Sequence, residues 1–244
     1  MSHAHISLRD VHVTGVNTAL RAASLKQLVL GKKEAIPHHA IPILRGVSLD
    51  IRDGDRVGIV GYNGSGKSSL LKVIAGIYPP QQGEVKVHGR VAPLIEMSLG
   101  FDREQSGREN IKLGLVYAGR IGEYSPELEE QIVAFTELGE HIDRPLKGYS
   151  SGMQARLCFA VSIFQHPDIL LLDEAFATGD AAFVSKSRKA MIEKFHSVPI
   201  AILVSHDSST IGKFCNRCIW IHEGKVRDEG NPEKILQDYE AFSQ

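Results

Sequence analysis

The sequence has only three cysteines, Cys158, Cys215 and Cys218, in 244 residues. Three thiols cannot form a disulfide framework, and the Cys215-Asn216-Arg217-Cys218 pair lacks the further ligands that a redox or zinc site needs. They read as buried or half-buried thiols in a reducing compartment. Long apolar runs are missing too. No stretch approaches the roughly 18 apolar residues of a spanning helix, and none follows Met1, so a cytosolic chain able to dock on a membrane protein is expected. Excess charge of one sign is also absent, with 28 Lys plus Arg against 29 Asp plus Glu. No global field therefore exists to hold nucleic acid, although local patches stay open. The length suits one large domain, or one domain with an inserted subdomain.

What the chain does have is Gly61-Tyr62-Asn63-Gly64-Ser65-Gly66-Lys67-Ser68, between the apolar runs 56–60 and 69–74. This is a G-x-x-x-x-G-K-S phosphate loop in a strand, turn, helix context. Its glycines admit backbone angles that let successive N–H groups turn inward around a diphosphate at a helix N-terminus. Tyr62, Asn63, Gly64, Ser65, Gly66, Lys67, Ser68 and Ser69 are the candidate nucleotide contacts. Lys67 would reach the β- and γ-phosphates, and the Ser68 hydroxyl would ligate Mg²⁺.

In chain order, Ile6, Leu8, Val11 and Val13 alternate with polar residues as a half-buried strand would. Residues 17–43 suggest a short basic amphipathic helix followed by a loop at Pro37 and Pro42. That helix could touch lipid headgroups or a partner, or pack across a sheet edge. Residues 47–51 read as a strand before the Asp53-Gly54-Asp55 turn, and a helix is expected over about 68–76. Residues 83–91 read as two short strands about His88-Gly89. Helical spacing over 109–118 and 126–138, with Ser125 and Pro126 as cap and first-turn pair, marks 101–165 as a helical insertion. Residues 168–174 form an unbroken apolar run ending in Asp173-Glu174, as in a buried parallel strand that delivers carboxylates to its C-terminal edge. A helix over 183–195, a buried strand over 201–206 ending at Ser205-His206, a hairpin over 217–229 with Gly224 in its turn, and a helix capped by Asn231-Pro232 complete the chain.

Asp173 should hold Mg²⁺, directly or through water, and Glu174 should orient or deprotonate the water that attacks the γ-phosphate. The alternative, two acids capping a helix, explains less of their company. His206 could contact the γ-phosphate and couple it to Glu174, or be a structural histidine at a strand end. Phosphoryl transfer depends on positioning and charge, so removal of Glu174 should spare nucleotide binding and collapse turnover.

The chain resembles the nucleotide-binding subunit of an ABC transporter over nearly its whole length. The 61–68 loop matches Walker A, Leu170-Leu171-Leu172-Asp173-Glu174 matches Walker B, His206 matches the switch histidine, and Ala177-Thr178-Gly179-Asp180 falls on the D-loop. The resemblance implies an α/β P-loop NTPase of the ABC ATPase type. Its RecA-like core and antiparallel β subdomain would span 1–100 and 166–244, and its helical signature subdomain 101–165. Tyr149-Ser150-Ser151-Gly152-Met153 stands where the Leu-Ser-Gly-Gly-Gln signature is usual, so Ser150, Ser151, Gly152 and Met153 would face the nucleotide of a second copy in a head-to-tail dimer. Asp180 would join that contact.

Two further positions depart from the usual pattern. No Tyr or Phe near Gly15 and Val16 can stack on adenine, and Glu96 occupies the place of the Q-loop glutamine. Glu96 could help a Mg²⁺ or water contact and transmit the state of the site, or be a solvent-facing acid. Together with Gly89 to Glu96, Gly100-Phe101, Gly107-Arg108-Glu109-Asn110-Ile111 and Gly179 to Phe183, these features resemble exporters of cell-surface polysaccharides, the O-antigen and teichoic acid export ATPases. The chain resembles the short form of that group, or the N-terminal domain of a longer one. The resemblance implies ATP and Mg²⁺ as ligands. Its implied partners are a second copy of the chain and two copies of a transmembrane permease, at the cytoplasmic face of the inner membrane. Polysaccharide would be met mainly through the permease, and no nucleic acid is expected. The other class of function is a soluble ATPase clamp on protein or nucleic acid, which the neutral composition and single ATPase core disfavour.

Overall fold

The computed structural model of the chain describes residues 3–16, 40–94, 100–173 and 181–243. The expected amphipathic helix within 17–39, Glu96, and the Glu174 to Asp180 stretch lie outside the described residues.

A small antiparallel sheet is built from β1 (His5–Val16), β2 (Ala40–Arg52) and β4 (Gln82–His88) in the order β2-β1-β4. Ile6, Leu8, Val11 and Val13 are all buried, although the step from 8 to 11 breaks strict alternation. The break is a bulge. Register shifts between Leu8 and Val11, and Asp10 takes a positive φ of 49°, so the extra residue returns Val11 to the core face. β2 is longer than residues 47–51 alone suggest, and it corrects the expected loop at Pro42. Pro42 pairs with Thr14 inside the sheet. β2 lies at an edge, where a residue without an N–H is tolerated.

The second sheet has six strands in the order β5-β6-β7-β3-β8-β9. β3 (Arg56–Val60), β5 (Val91–Leu94), β6 (Ile169–Asp173), β7 (Ile200–Val204) and β8 (Arg217–His222) run parallel, and β9 (Lys225–Gly230) closes one edge antiparallel to β8. The two strands expected about His88-Gly89 are present, but the turn carries the chain from one sheet to the other. Every residue of β7 is buried, as is fitting for a parallel strand covered on both faces.

Helix α1 (Lys67–Ile74) shares one core with both sheets, through Leu70, Leu71, Val73 and Ile74. On the other face of the parallel sheet lie α4 (Ser151–Ile163), α5 (Ala181–Ser197), α6 (Ser208–Phe214) and α7 (Pro232–Ser243), packed through Phe159, Phe183, Met191, Ile211 and Ile235.

Between β5 and β6 the chain forms α2 (Gly107–Tyr117) and α3 (Pro126–Thr136), with a third core of Ile111, Ile132, Ile142, Leu157 and Val161. α3 starts where Ser125 and Pro126 predict, with the Ser125 hydroxyl accepting the Leu128 N–H. α2 carries a reciprocal cap between Ser106 and Glu109. The Gly107-Arg108-Glu109-Asn110-Ile111 phrase is occupied in building this region. Fully buried Asn110 donates to the carbonyls of Asp102 and Ser106 at 2.9 and 2.8 Å and accepts the Asp102 N–H at 2.8 Å. Arg108 bonds Glu129, Glu130 and Asp143.

Candidate functional site

The C-terminal ends of β3, β6 and β7 lie side by side, since Asp173 pairs with Val204 and Val204 with Ile59. Three apolar strands thus bring three polar tips to one sheet edge, the usual place for a ligand in such a sheet. A cavity of about 380 Å³ opens there, lined by Ile43, Asn63, Gly64, Gly66, Lys67, Ser68, Ser69, Asp173, Val204 and His206.

The loop between β3 and α1 fits its glycines closely. Gly61 has φ 151°, and a Cβ there would lie 2.2 Å from the Ile221 carbonyl oxygen. Gly66, the N-cap of α1, has φ 110°, and a Cβ would meet the Leu44 side chain and the Ile43 carbonyl oxygen at 3.0 and 3.1 Å. No side chain caps α1. Its first-turn N–H groups are therefore left for an outside acceptor.

The Lys67 side chain is buried, and its ammonium donates to the carbonyls of Gly61 and Tyr62 at 2.7 and 3.0 Å. Burial pulls its pKa below the usual lysine value, while the Asp173 carboxylate opposes that shift. Ser68 is exposed at the cavity, and Asp173 is half-buried opposite. A hydroxyl and a carboxylate are hard oxygen donors that suit Mg²⁺ completed by phosphate oxygens. The bare helix N-terminus and the ammonium suit the phosphates themselves. The residues present therefore fit a magnesium nucleotide.

The remaining candidates divide. Asn63, Gly64, Ser69 and His206 line the cavity with the residues above. Ser65 is buried beneath the loop, its Oγ without a hydrogen-bond partner and its carbonyl accepting the Gly224 N–H at 2.9 Å. The Tyr62 ring does not line the cavity; it lies against Tyr239 and Phe242 of α7. Ser150, Ser151, Gly152 and Met153 are not brought to this cavity either. They start α4, with Ser150 and Ser151 exposed and the Ser150 hydroxyl accepting the Met153 N–H at 3.2 Å.

Two features near the site lie outside the motifs that the sequence singles out. Ile43 supplies apolar lining where the sequence offers no aromatic; only the long-range packing of β2 onto the loop puts it there. Asp207 caps α6 by accepting from Ser209 and Thr210, which lowers its pKa. The Asp-Ser-Ser run could have signalled that cap. As expected, Cys158, Cys215 and Cys218 are buried free thiols.

Residues 44–177 match the ABC transporter family. Among curated proteins, the chain is 40% identical to the O-antigen export system ATP-binding protein RfbB of Myxococcus xanthus, over 97% of this chain and 54% of that protein. It is 42% identical to the teichoic acids export ATP-binding protein TagH of Lactococcus lactis, over 82% of this chain and 43% of that protein. The RfbB protein of Klebsiella pneumoniae is 39% identical, over 83% of this chain and 86% of its own length. The chain thus spans about half the length of the first two relatives. Of solved structures, an ATP-binding subunit of an ABC transporter superposes with a TM-score of 0.70 at 18% identity, covering 96% of this chain and 93% of that one. A dimeric ATP-binding cassette in a post-hydrolysis state, bound to ADP and Pi, gives 0.68 at 21% identity, covering 93% and 98%. Both likenesses place the fold in the ABC-ATPase type, with a RecA-like core and helical insertions.

Proposed function

The chain belongs to the ABC transporter family, and on that premise we propose that it hydrolyses ATP to drive export of a lipid-linked cell-surface polysaccharide through a membrane partner. The observation that carries the ATPase reading is the meeting of Lys67, Ser68, Asp173 and His206 at one cavity beside an uncapped helix N-terminus.

In this reading the N–H groups of the 61–69 loop bind the phosphates, and Lys67 leaves its two loop carbonyls to pair with them. Ser68 and Asp173 would hold Mg²⁺, which would supply positive charge to offset that developing on the transferred phosphoryl group. Glu174, next in the chain after Asp173, orients or deprotonates the attacking water, and His206 contacts the γ-phosphate. Glu96 and Asp180 carry the coupling and dimer roles that the family resemblance implies. Residues 150–153 are exposed or half-buried in their own chain, which suits a segment that completes the site of a second copy, with ATP sandwiched between the two. The core and β subdomain would comprise 1–100 and 166–244, and the signature-bearing subdomain 101–165.

The polysaccharide class is supported by relatives named as O-antigen and teichoic acid exporters. No helix among the described residues is long and apolar enough to cross a membrane; in this reading the chain sits at the cytoplasmic face and a pair of transmembrane permeases does the membrane work. A groove of about 230 Å³ is lined by residues that include Pro93, Leu94, Phe101, Tyr117 and Arg120. Val116, Tyr117 and Ile121 are exposed apolar side chains in this part of the chain, and such a patch suits the contact with the permease.

The test is complementation in a cell lacking this chain. The parent should restore polymer at the surface, whereas Lys67→Ala and Glu174→Gln should leave lipid-linked polymer inside. Surface polymer unaffected by either substitution would contradict the export reading.

A further inference from the structure

Tyr62 has its side chain in one part of the molecule and its carbonyl in another. The ring lies 5.8 Å from Tyr239, 6.2 Å from Phe242 and 6.3 Å from His222 between centroids. Its hydroxyl donates to the Phe242 carbonyl oxygen at 3.3 Å. That oxygen belongs to the last turn of α7, where carbonyls have no partner four residues on. Arg227 of β9 reinforces the cluster, its guanidinium 4.4 Å from the Trp220 ring and 3.8 Å from that of Phe242. The Tyr62 carbonyl, in contrast, accepts the Lys67 ammonium at 3.0 Å and the Ser65 N–H at 3.1 Å.

The neighbouring Asn63 and Gly64 are exposed, and a Cβ at Gly64 would meet nothing within 4 Å. Between Gly61, pressed on β8, and buried Ser65, Tyr62 is therefore the side chain that fixes the loop from outside.

We propose that Tyr62 is a positioning residue that ties the phosphate loop to α7, so that the docking of α7 sets nucleotide affinity. The inference rests on the nucleotide-binding reading above and deepens it. The Tyr62 side chain touches no phosphate in this account. It holds the 61–62 carbonyls, and through them Lys67 and the N–H groups that follow, near their binding positions before nucleotide arrives. Loss of that anchor adds an ordering cost to binding and leaves the chemistry of the bound state in place.

The experiment measures binding of a fluorescent ATP analogue, and KM and kcat for ATP, in the full chain carrying Tyr62→Ala, Tyr62→Phe or Phe242→Ala. Tyr62→Ala and Phe242→Ala should each weaken binding and raise KM by about fivefold, the scale of one or two aromatic contacts, with kcat within about twofold of the parent. Tyr62→Phe keeps the ring and should restore most of the affinity. The Phe242 variant is decisive because that residue lies on α7, outside the loop. Parental affinity in both alanine variants would overturn the proposal, as would kcat falling while KM holds. If Tyr62→Ala does not fold, Phe242→Ala alone decides: weakened binding upholds the proposal and parental affinity overturns it. A parent chain that binds no ATP, or a Lys67→Ala variant that binds as well as the parent, would instead sink the nucleotide reading and this inference with it.

Discussion

Residues 61–69 open α1 and residues 150–153 open α4, so two helix N-termini stand among the candidate site residues, but they are finished differently. α1 is capped by Gly66 with no side-chain bond, whereas the cap of α4, Ser150, spends its acceptor oxygen on the Met153 N–H. The first is walled by strand ends and β2, and at Gly61 and Gly66 a positive φ and close neighbours oppose a side chain. The second is open, and a Cβ on Gly152 would meet only the Ser150 Oγ, at 3.9 Å. One segment is a receptor pre-shaped by its own fold. The other is a stable helix start that leaves a hydroxyl proton and first-turn N–H groups available to something outside.

The largest effect should come from the walled side. Lys67→Ala removes the charge at the cavity and should lower ATPase activity by at least about a hundredfold, with fluorescent-nucleotide binding lost; unchanged activity would end the role assigned to Lys67. Gly61→Ala should destabilise the fold itself by about 2–4 kcal/mol, read from denaturant unfolding, because both the positive φ and the Ile221 carbonyl oppose a Cβ. Gly152→Ala sharpens the contrast. It should leave stability within about 0.5 kcal/mol of the parent, yet weaken ATP-dependent association of two copies, read by light scattering in a Glu174→Gln background. Ser150→Ala should fall between the two glycine variants in stability, costing about 1 kcal/mol through the lost cap, and should also reduce that association. Equal damage to stability from Gly61→Ala and Gly152→Ala would break the comparison.

The same contrast explains how much could be read from the chain. The phosphate loop was legible because its glycines, lysine and serine fall at fixed spacings between two apolar runs. The strand ending at Asp173 was legible from an unbroken apolar stretch. Ile43 and the early start of β2 were not, since Pro42 reads locally as a loop and is admitted only by the edge position of its strand. The direction of the Tyr62 ring was hidden as well. Its place in the motif suggests a nucleotide contact, but Tyr239 and Phe242, far along the chain, draw the ring away. The 8-to-11 step in β1 was visible in the sequence, and only the pairing with β2 and β4 identifies it as a bulge.

The most direct measurement is a cross-link between copies. Asn63 and Ser151 are exposed, so Asn63→Cys and Ser151→Cys in a Glu174→Gln chain place one thiol on each half of the proposed sandwich. The native thiols give little background, since burial pushes Cys158 up to about 11 and Cys215 and Cys218 up to about 12. Mild oxidation with Mg-ATP should yield a disulfide-linked dimer, in the chain alone or with the proposed permease co-expressed, and none should form without nucleotide. Failure to form that dimer at saturating Mg-ATP in both settings, or equal yield with and without ATP, would contradict the account.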